Sequence, residues 1–233
     1  MLVLDILATN NWERPIYFIG MGGNEVEIGQ RNYMQYEGFV YKFVPINTSQ
    51  LESGNIHAEK LYDRLKNVYQ WGNMDKEEVN IDYNNLFTLA PILNIRDMHA
   101  RTAKALLDKG EKEKTIEILD QAVALTPPYN FPYNLPLPTL TYNEFAVLQL
   151  IELYYQAEEA EKAANLAEAF FRETQQCLRF FSRITKADTS REFQQNMYYL
   201  SHLANILTRY NDEELGTKVK ETIQTFNRIF GFE

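Results

Sequence analysis

Five of the eight prolines fall within twelve residues, in the run Pro127-Pro128-Tyr-Asn-Phe-Pro132-Tyr-Asn-Leu-Pro136-Leu-Pro138. Each proline lacks an N–H, and its ring clashes with the preceding helical turn, so no helix can cross this segment. The run reads as a long, extended or polyproline-like connection between helices, able to wrap over a helical groove. Its tyrosines, phenylalanine and leucines predict that it packs rather than floats. The chain around it is helical in period. From about Asn84 onward apolar residues recur at intervals of three and four, with breaks at Gly110 and at Asn211-Asp212.

The first half is mixed. Residues 1–8 are apolar but short, lack a basic flank and are interrupted by Asp5, so they are not an export signal. A short buried helix fits them, ending near Thr9-Asn10-Asn11. Without an export signal, the chain is either cytoplasmic or a piece of something longer. Ile16 to Ile19 is β-prone behind Pro15, and Gly20-Met-Gly-Gly23 then breaks the run. Asn32 to Glu37 reads as one or two helical turns. Phe39 to Ile46 alternates as a strand, with Phe39, Tyr41 and Phe43 on one face. Ile56 to Tyr69 reads as a helix with Leu61, Leu65 and Val68 on one stripe.

The second half repeats itself. Thr102, Ala103 and Leu106 precede Gly110, and then come Ile116, Leu119, Ala122 and Pro127. A looser copy has Leu150, Ile151 and Tyr154, a turn at Ala157-Glu158, then Ala163, Ala167 and Phe170. A third has Leu203, Ala204 and Leu207, a turn at Tyr210-Asn211, then Gly216 and Ile223. The order resembles the tetratricopeptide repeat and implies stacked antiparallel helix pairs, which usually bind rather than catalyse. The expected fold class is α+β, predominantly α. Residues 1–83 form a small mixed N-terminal part, packed on tetratricopeptide-like antiparallel helical hairpins in residues 84–233.

Composition excludes more than it identifies. With 23 basic and 32 acidic residues the formal charge is 23 − 32 = −9. That balance argues against a general nucleic-acid binder and against adsorption to anionic lipid. No run approaches the roughly 20 apolar residues that span a bilayer, so no membrane insertion by this chain is expected. Cys177 is the single cysteine, so there is no intramolecular disulfide or cysteine zinc cluster.

Two strings carry a wider resemblance: Trp12-Glu-Arg-Pro-Ile-Tyr-Phe18 and Glu37-Gly-Phe-Val-Tyr-Lys-Phe-Val-Pro-Ile46. They are followed by Trp71-Gly72 and by the helical repeat through Gly110-Glu-Lys-Glu-Lys114. This order resembles the C-terminal soluble region of multi-pass membrane proteins of Bacteroidota. Their N-terminal domain of unknown function is similar to protein O-mannosyltransferases. The resemblance implies an extramembrane appendage of a glycosyltransferase-like protein on the periplasmic side, the alternative being cytoplasmic. The catalytic acid of such families lies in a loop between membrane helices, so no catalytic residue carries over.

Candidate chemistry is thin. His57, His99 and His202 have no metal-ligand spacing and read as surface or capping residues. Cys177 reads as a buried helix cysteine. Gly20 to Gly23 lacks a phosphate-binding signature. No catalytic residue, cofactor site or metal site is expected. Aromatic rings are plentiful, with 15 Tyr and 14 Phe. Sugars stack on exposed rings, which makes Tyr129, Phe131, Tyr133, Tyr154 and Tyr155 the candidate binding surface; the other reading is that they are core wedges. Two function classes follow. One is a non-catalytic interaction module that binds a protein partner, an acceptor, a glycan or the parent's transmembrane domain. The other is a soluble glycan-binding or glycan-processing enzyme, which would show two carboxylates of raised pKa in a cleft near aromatic rings.

Overall fold

The computed structural model describes residues 2–19, 30–48, 55–79, 86–135, 142–184 and 191–230. The protein is mostly α with a small β component. Helix α1 spans Leu2–Asn10, and a three-stranded antiparallel sheet follows, made of β1 (Tyr17–Phe18), β2 (Met34–Tyr36) and β3 (Tyr41–Phe43). β3 lies in the centre, with Lys42 opposite both Tyr17 and Gln35. Helix α2 (Ala58–Asp63) winds directly into a π-helical turn at Arg64–Val68.

Four local expectations are corrected. Of residues 32–37 only Asn32 and Tyr33 are helical: a 3₁₀ turn at Gln30–Tyr33 leads into β2. Pairing with the distant β3 overrides the local preference of this polar-aromatic stretch, and it buries Met34 and Tyr36. α1 is a helix, but Leu4 and Ile6 are exposed, because no side chain described in it belongs to the core. Val68 is exposed whereas Leu61 and Leu65 are buried. The wider π turn rotates Val68 off the stripe that a regular α-helix would have kept. In the first hairpin Ile116 is only half-buried, and Thr115, Ile118, Leu119 and Ala122 face inward instead. The Gly20 to Gly23 run, Pro136, Pro138 and the boundary at 83/84 lie outside the described residues.

Six longer helices form three hairpins: α3 (Leu86–Leu107) with α4 (Lys112–Leu125), α5 (Tyr142–Gln156) with α6 (Ala160–Ile184), and α7 (Arg191–Arg209) with α8 (Glu213–Phe230). Each hairpin closes with the same turn. The residues Gly110, Glu158 and Asn211 all sit at positive φ, between +57° and +76°. The next amide in each case reaches back five residues: Glu111 N–H to Leu106 O (3.0 Å), Glu159 to Tyr154 (2.9 Å) and Asp212 to Leu207 (3.0 Å). This double-capped stop satisfies carbonyls that a helix end would otherwise orphan. Four residues after that amide comes a buried small residue, Thr115, Ala163 or Gly216. Small side chains there let the paired helices approach closely.

α3 packs on both α4 and α5, α5 on α6, α6 on α7 and α7 on α8. One continuous apolar core runs from Tyr36, Leu61 and Leu65 through Leu106, Ile151 and Phe170 to Leu203 and Phe226. The N-terminal part joins this core through α2 and through Glu37. The buried Glu37 carboxylate is held by Lys60 and by Arg64 Nη1 at 2.6 Å. Burial pushes its pKa up, but the hydrogen bonds from Lys60 and Arg64 outweigh burial and hold it below the ordinary value.

Candidate functional site: a clamped strap and an apolar N-terminal surface

The described part of the proline-rich connection, up to residue 135, packs as its composition predicts. Thr126 ends α4, its hydroxyl donating to Ala122 O at 2.7 Å. A turn then sets Phe131 N–H on Pro127 O at 2.8 Å. Residues 126–135 form a strap that side chains from four helices grip. From α3, the fully buried Arg96 guanidinium donates through all five of its N–H groups. Its Nε donates to Thr126 Oγ1 (2.9 Å). Its Nη1 donates to Pro132 O (3.0 Å) and Asn143 Oδ1 (2.8 Å), and its Nη2 to Thr126 O (2.8 Å) and Phe131 O. The cation also lies 4.8 Å from the Tyr133 ring centroid. A buried charge is tolerable only when its donors are satisfied in this way.

The strap's own amides are met by carboxylates. Glu173 on α6 accepts from Tyr133 N (2.7 Å) and Asn134 N (3.1 Å). Glu144 on α5 accepts from Leu135 N (2.8 Å). Asn134 donates to Thr174 Oγ1 (2.9 Å) and to Asn196 Oδ1 on α7 (2.7 Å). Burial raises the pKa of Glu173, and it raises that of Glu144 from 4.5 to about 7, while the nearby Arg96 charge pulls both the other way. The second oxygen of Glu144 is buried and accepts no hydrogen bond from the described residues. Two carboxylates of raised pKa near aromatic rings are thus present, and both are engaged with the chain's own backbone.

The five candidate aromatic residues do not form one surface. Tyr129 is 54% exposed, and its hydroxyl donates to Asp75 O. Phe131, Tyr133, Tyr154 and Tyr155 are buried. Phe131 packs with Met74 and Ile95. Tyr154 donates to Asp120 (2.9 Å), and Tyr155 donates to Asp212 (2.8 Å) while stacking on Tyr210. Burial raises the pKa of both hydroxyls. All four rings are buried, and those of Tyr154 and Tyr155 sit as wedges with a hydrogen-bonded tip. A shallow groove of about 370 Å³ opens beside Tyr133 and Tyr154, rimmed by the Lys162–Asp120 ion pair.

The other candidates take structural positions. His57 caps α2, with Nδ1 accepting from Lys60 N at 3.4 Å. His99 is fully buried, with Nδ1 on Ile95 O at 2.7 Å, and burial lowers its pKa to about 4. His202 packs against Phe145 and Tyr198. Cys177 is half-buried, and burial pushes its thiol up to about 11, away from thiolate chemistry. Among the described residues no three His, Cys, Asp or Glu side chains group to hold a metal ion. Sequence reasoning missed Arg96, Glu144 and Glu173. Arg96 left one signal, a lone charge on the stripe of Ile95, His99 and Thr102 that enters the core.

Exposed apolar surface is concentrated at the N-terminal end. Thirteen large hydrophobic side chains are exposed among the described residues, and eight of them lie between Leu4 and Ile46. They include Leu4, Ile6, Trp12, Tyr17, Ile19 and Ile46. Ile19 is 92% exposed and Trp12 is 56% exposed. Asn11 and Trp12 both adopt positive φ, which stops α1 and folds the Trp12 ring onto Phe43 at 5.5 Å, nearly parallel. A groove of about 350 Å³ lies between residues 12–16 and 42–45. Isolated apolar residues on a surface are ordinary, whereas large contiguous apolar patches mark contact regions.

Residues 1–60 match the family model described as TMEM260-associated domain 2. The matched segment contains α1, the sheet and the exposed apolar side chains. No curated protein and no solved structure matches the chain significantly. Among the described residues no helix is long and apolar enough to cross a membrane.

Proposed function

We propose that the chain is a non-catalytic accessory domain of a membrane protein of the glycosyltransferase-like type, lying on the extracytoplasmic side. It docks onto the membrane-embedded part of that protein through its N-terminal apolar surface. The single observation that carries this reading is the coincidence of the exposed apolar residues with residues 1–60, the segment that matches a membrane-protein-associated domain. The three hairpins with matching turns support a tetratricopeptide-like scaffold behind that surface. The strap already occupies the polar side chains that the helices turn toward it, so the contact shifts from the helical-repeat surface to the sheet and α1. The test is site-specific photo-crosslinking in cells from Ile19 and Trp12, with Lys109 as the control position. Adducts to a multi-pass membrane protein from the first two positions alone support the proposal. Adducts equally frequent from Lys109, or none to a membrane protein, overturn it.

A second reading, a glycan-processing enzyme, draws on the raised pKa of the Glu144 and Glu173 pair. Their engagement with the amides of Tyr133, Asn134 and Leu135 weighs against it, since a general acid must face substrate. Hydrolysis of a glycan library that is abolished by Glu144→Gln would favour the enzyme.

A further inference from the structure

We propose that the groove between α6 and α8 binds an extended acidic peptide segment. It is a second interface, independent of the N-terminal docking surface. The groove has a volume of about 720 Å³ and lies at the far end of the chain's helices.

Its charge is opposite in sign to that of the chain, which carries −9 overall. Several cations elsewhere meet carboxylates: Arg64 meets Glu37, Arg101 meets Asp97, Lys162 meets Asp120 and Arg209 meets Glu152. In this groove Arg179 and Arg183 are exposed and form no ion pair among the described residues. Lys218 also lines it, held at 2.7 Å by Glu214. Glu221 is the single acid in the lining; with Lys218 neutralised by Glu214, the two arginines leave an excess of one positive charge. Arg183 stands in the last turn of α6, where the helix C-terminus favours a cation. Arg179 stands one turn earlier and has no such reason to be there.

The spacing and the hydroxyls define the ligand. Side chains four apart on a helix lie roughly 6 Å apart at Cβ, which sets the spacing of the two arginines along α6. Carboxylates two residues apart in an extended chain are spaced at roughly 7 Å, which matches. The hydroxyls of Ser182 and Thr225 donate to their own helix carbonyls, Arg179 O (2.9 Å) and Glu221 O (2.7 Å). What they offer the groove is therefore acceptor lone pairs. Acceptors suit the N–H groups of a peptide backbone and are wrong for phosphate or another ligand made only of acceptors. At the groove's end, the 62%-exposed Ile229 beside buried Phe226 supplies an apolar anchor point.

The test is fluorescence anisotropy of the whole chain with a fluorescein-labelled peptide, Leu-Gly-Glu-Ser-Glu-Gly, at low salt. Binding with a Kd of roughly 100 μM is expected, of the order usual for a short flexible peptide, and it weakens with salt. Arg179→Glu with Arg183→Glu weakens it by about tenfold or more, and Ile229→Ala weakens it several-fold. The peptide with Gln in place of both Glu does not bind. Both arginines are exposed, so the fold should survive their exchange, as an unchanged circular dichroism melt would confirm. If the double variant unfolds, Ile229→Ala and the Gln peptide still decide. Equal binding by the double variant or by the Gln peptide overturns the proposal. So does displacement of the peptide by inorganic phosphate or polygalacturonate at equal charge concentration.

Discussion

Glu37 and Glu144 are both buried carboxylates, and their surroundings push them in opposite directions. Lys60 and Arg64 hold the Glu37 pKa down. Its stabilising contribution is therefore full above the ordinary carboxylate pKa and is lost as pH falls through the lowered value. Glu144 has one oxygen bonded to Leu135 N–H and one without a partner among the described residues, and burial raises its pKa to about 7. Between 4.5 and 7 the folded state holds a proton that the unfolded chain has released, so stability falls as pH rises through that window. The full penalty is on the order of 3 kcal/mol. Glu144→Gln keeps an acceptor for Leu135 N–H and removes the charge. It should raise the melting temperature at pH 8 and leave it nearly unchanged at pH 4.5, as calorimetry at the two pH values would measure. Arg96→Met should cost about 3–5 kcal/mol in urea unfolding, because it strands the acceptors of the strap in the core. Gly38 shows why the Glu-Gly-Phe-Val-Tyr-Lys string is so particular. Its φ is +92°, and a Cβ there would sit 2.7 Å from Met98 Sδ and 2.8 Å from the Tyr69 hydroxyl. Gly38→Ala should destabilise by about 3 kcal/mol, combining backbone strain with overpacking, and lower the melting temperature by roughly 10 °C.

The three hairpins show which elements were legible in advance. The register Thr102-Ala103-Leu106, Leu150-Ile151-Tyr154 and Leu203-Ala204-Leu207 is the one the structure uses, each set ending three or four residues before its turn. It could be read because helix periodicity and a positive-φ stop are local properties of the chain. The turn tolerates Gly110, Glu158 or Asn211 alike, so the glycine was a clue in one copy only. Ala163 is a small residue of the second hairpin with no exposed surface. Ala163→Leu should cost about 1–3 kcal/mol by forcing α5 and α6 apart, and urea midpoints would report it. The β elements were harder. β1 and β3 were legible by β propensity and alternation, but β2 was not, since only its pairing with β3 makes Met34 to Tyr36 a strand. The π turn after α2 was equally invisible, and it moved Val68 to the surface.

For the molecule as a whole, the core extends without a break from the sheet to α8, while no described side chain of α1 belongs to it. Replacing Leu4 and Ile6 by Glu should therefore shift the melting temperature by less than about 2 °C, as expected for exposed positions, yet abolish the Ile19 crosslink if that face docks. Composition and periodicity by themselves determined a mostly helical chain with a small sheet, three hairpins in register and a packed proline-rich connection. Those features follow from residue spacing, proline geometry and apolar content, which act over a few residues. Only the tertiary structure decided that four of the five candidate rings are core wedges. It alone brought Arg96, Glu144 and Glu173 to one strap from positions up to 77 residues apart, since 173 − 96 = 77. It also set Arg179 and Arg183 beside α8, without an ion pair among the described residues. Burial and pairing depend on which distant surfaces meet, and no local pattern in the chain encodes that.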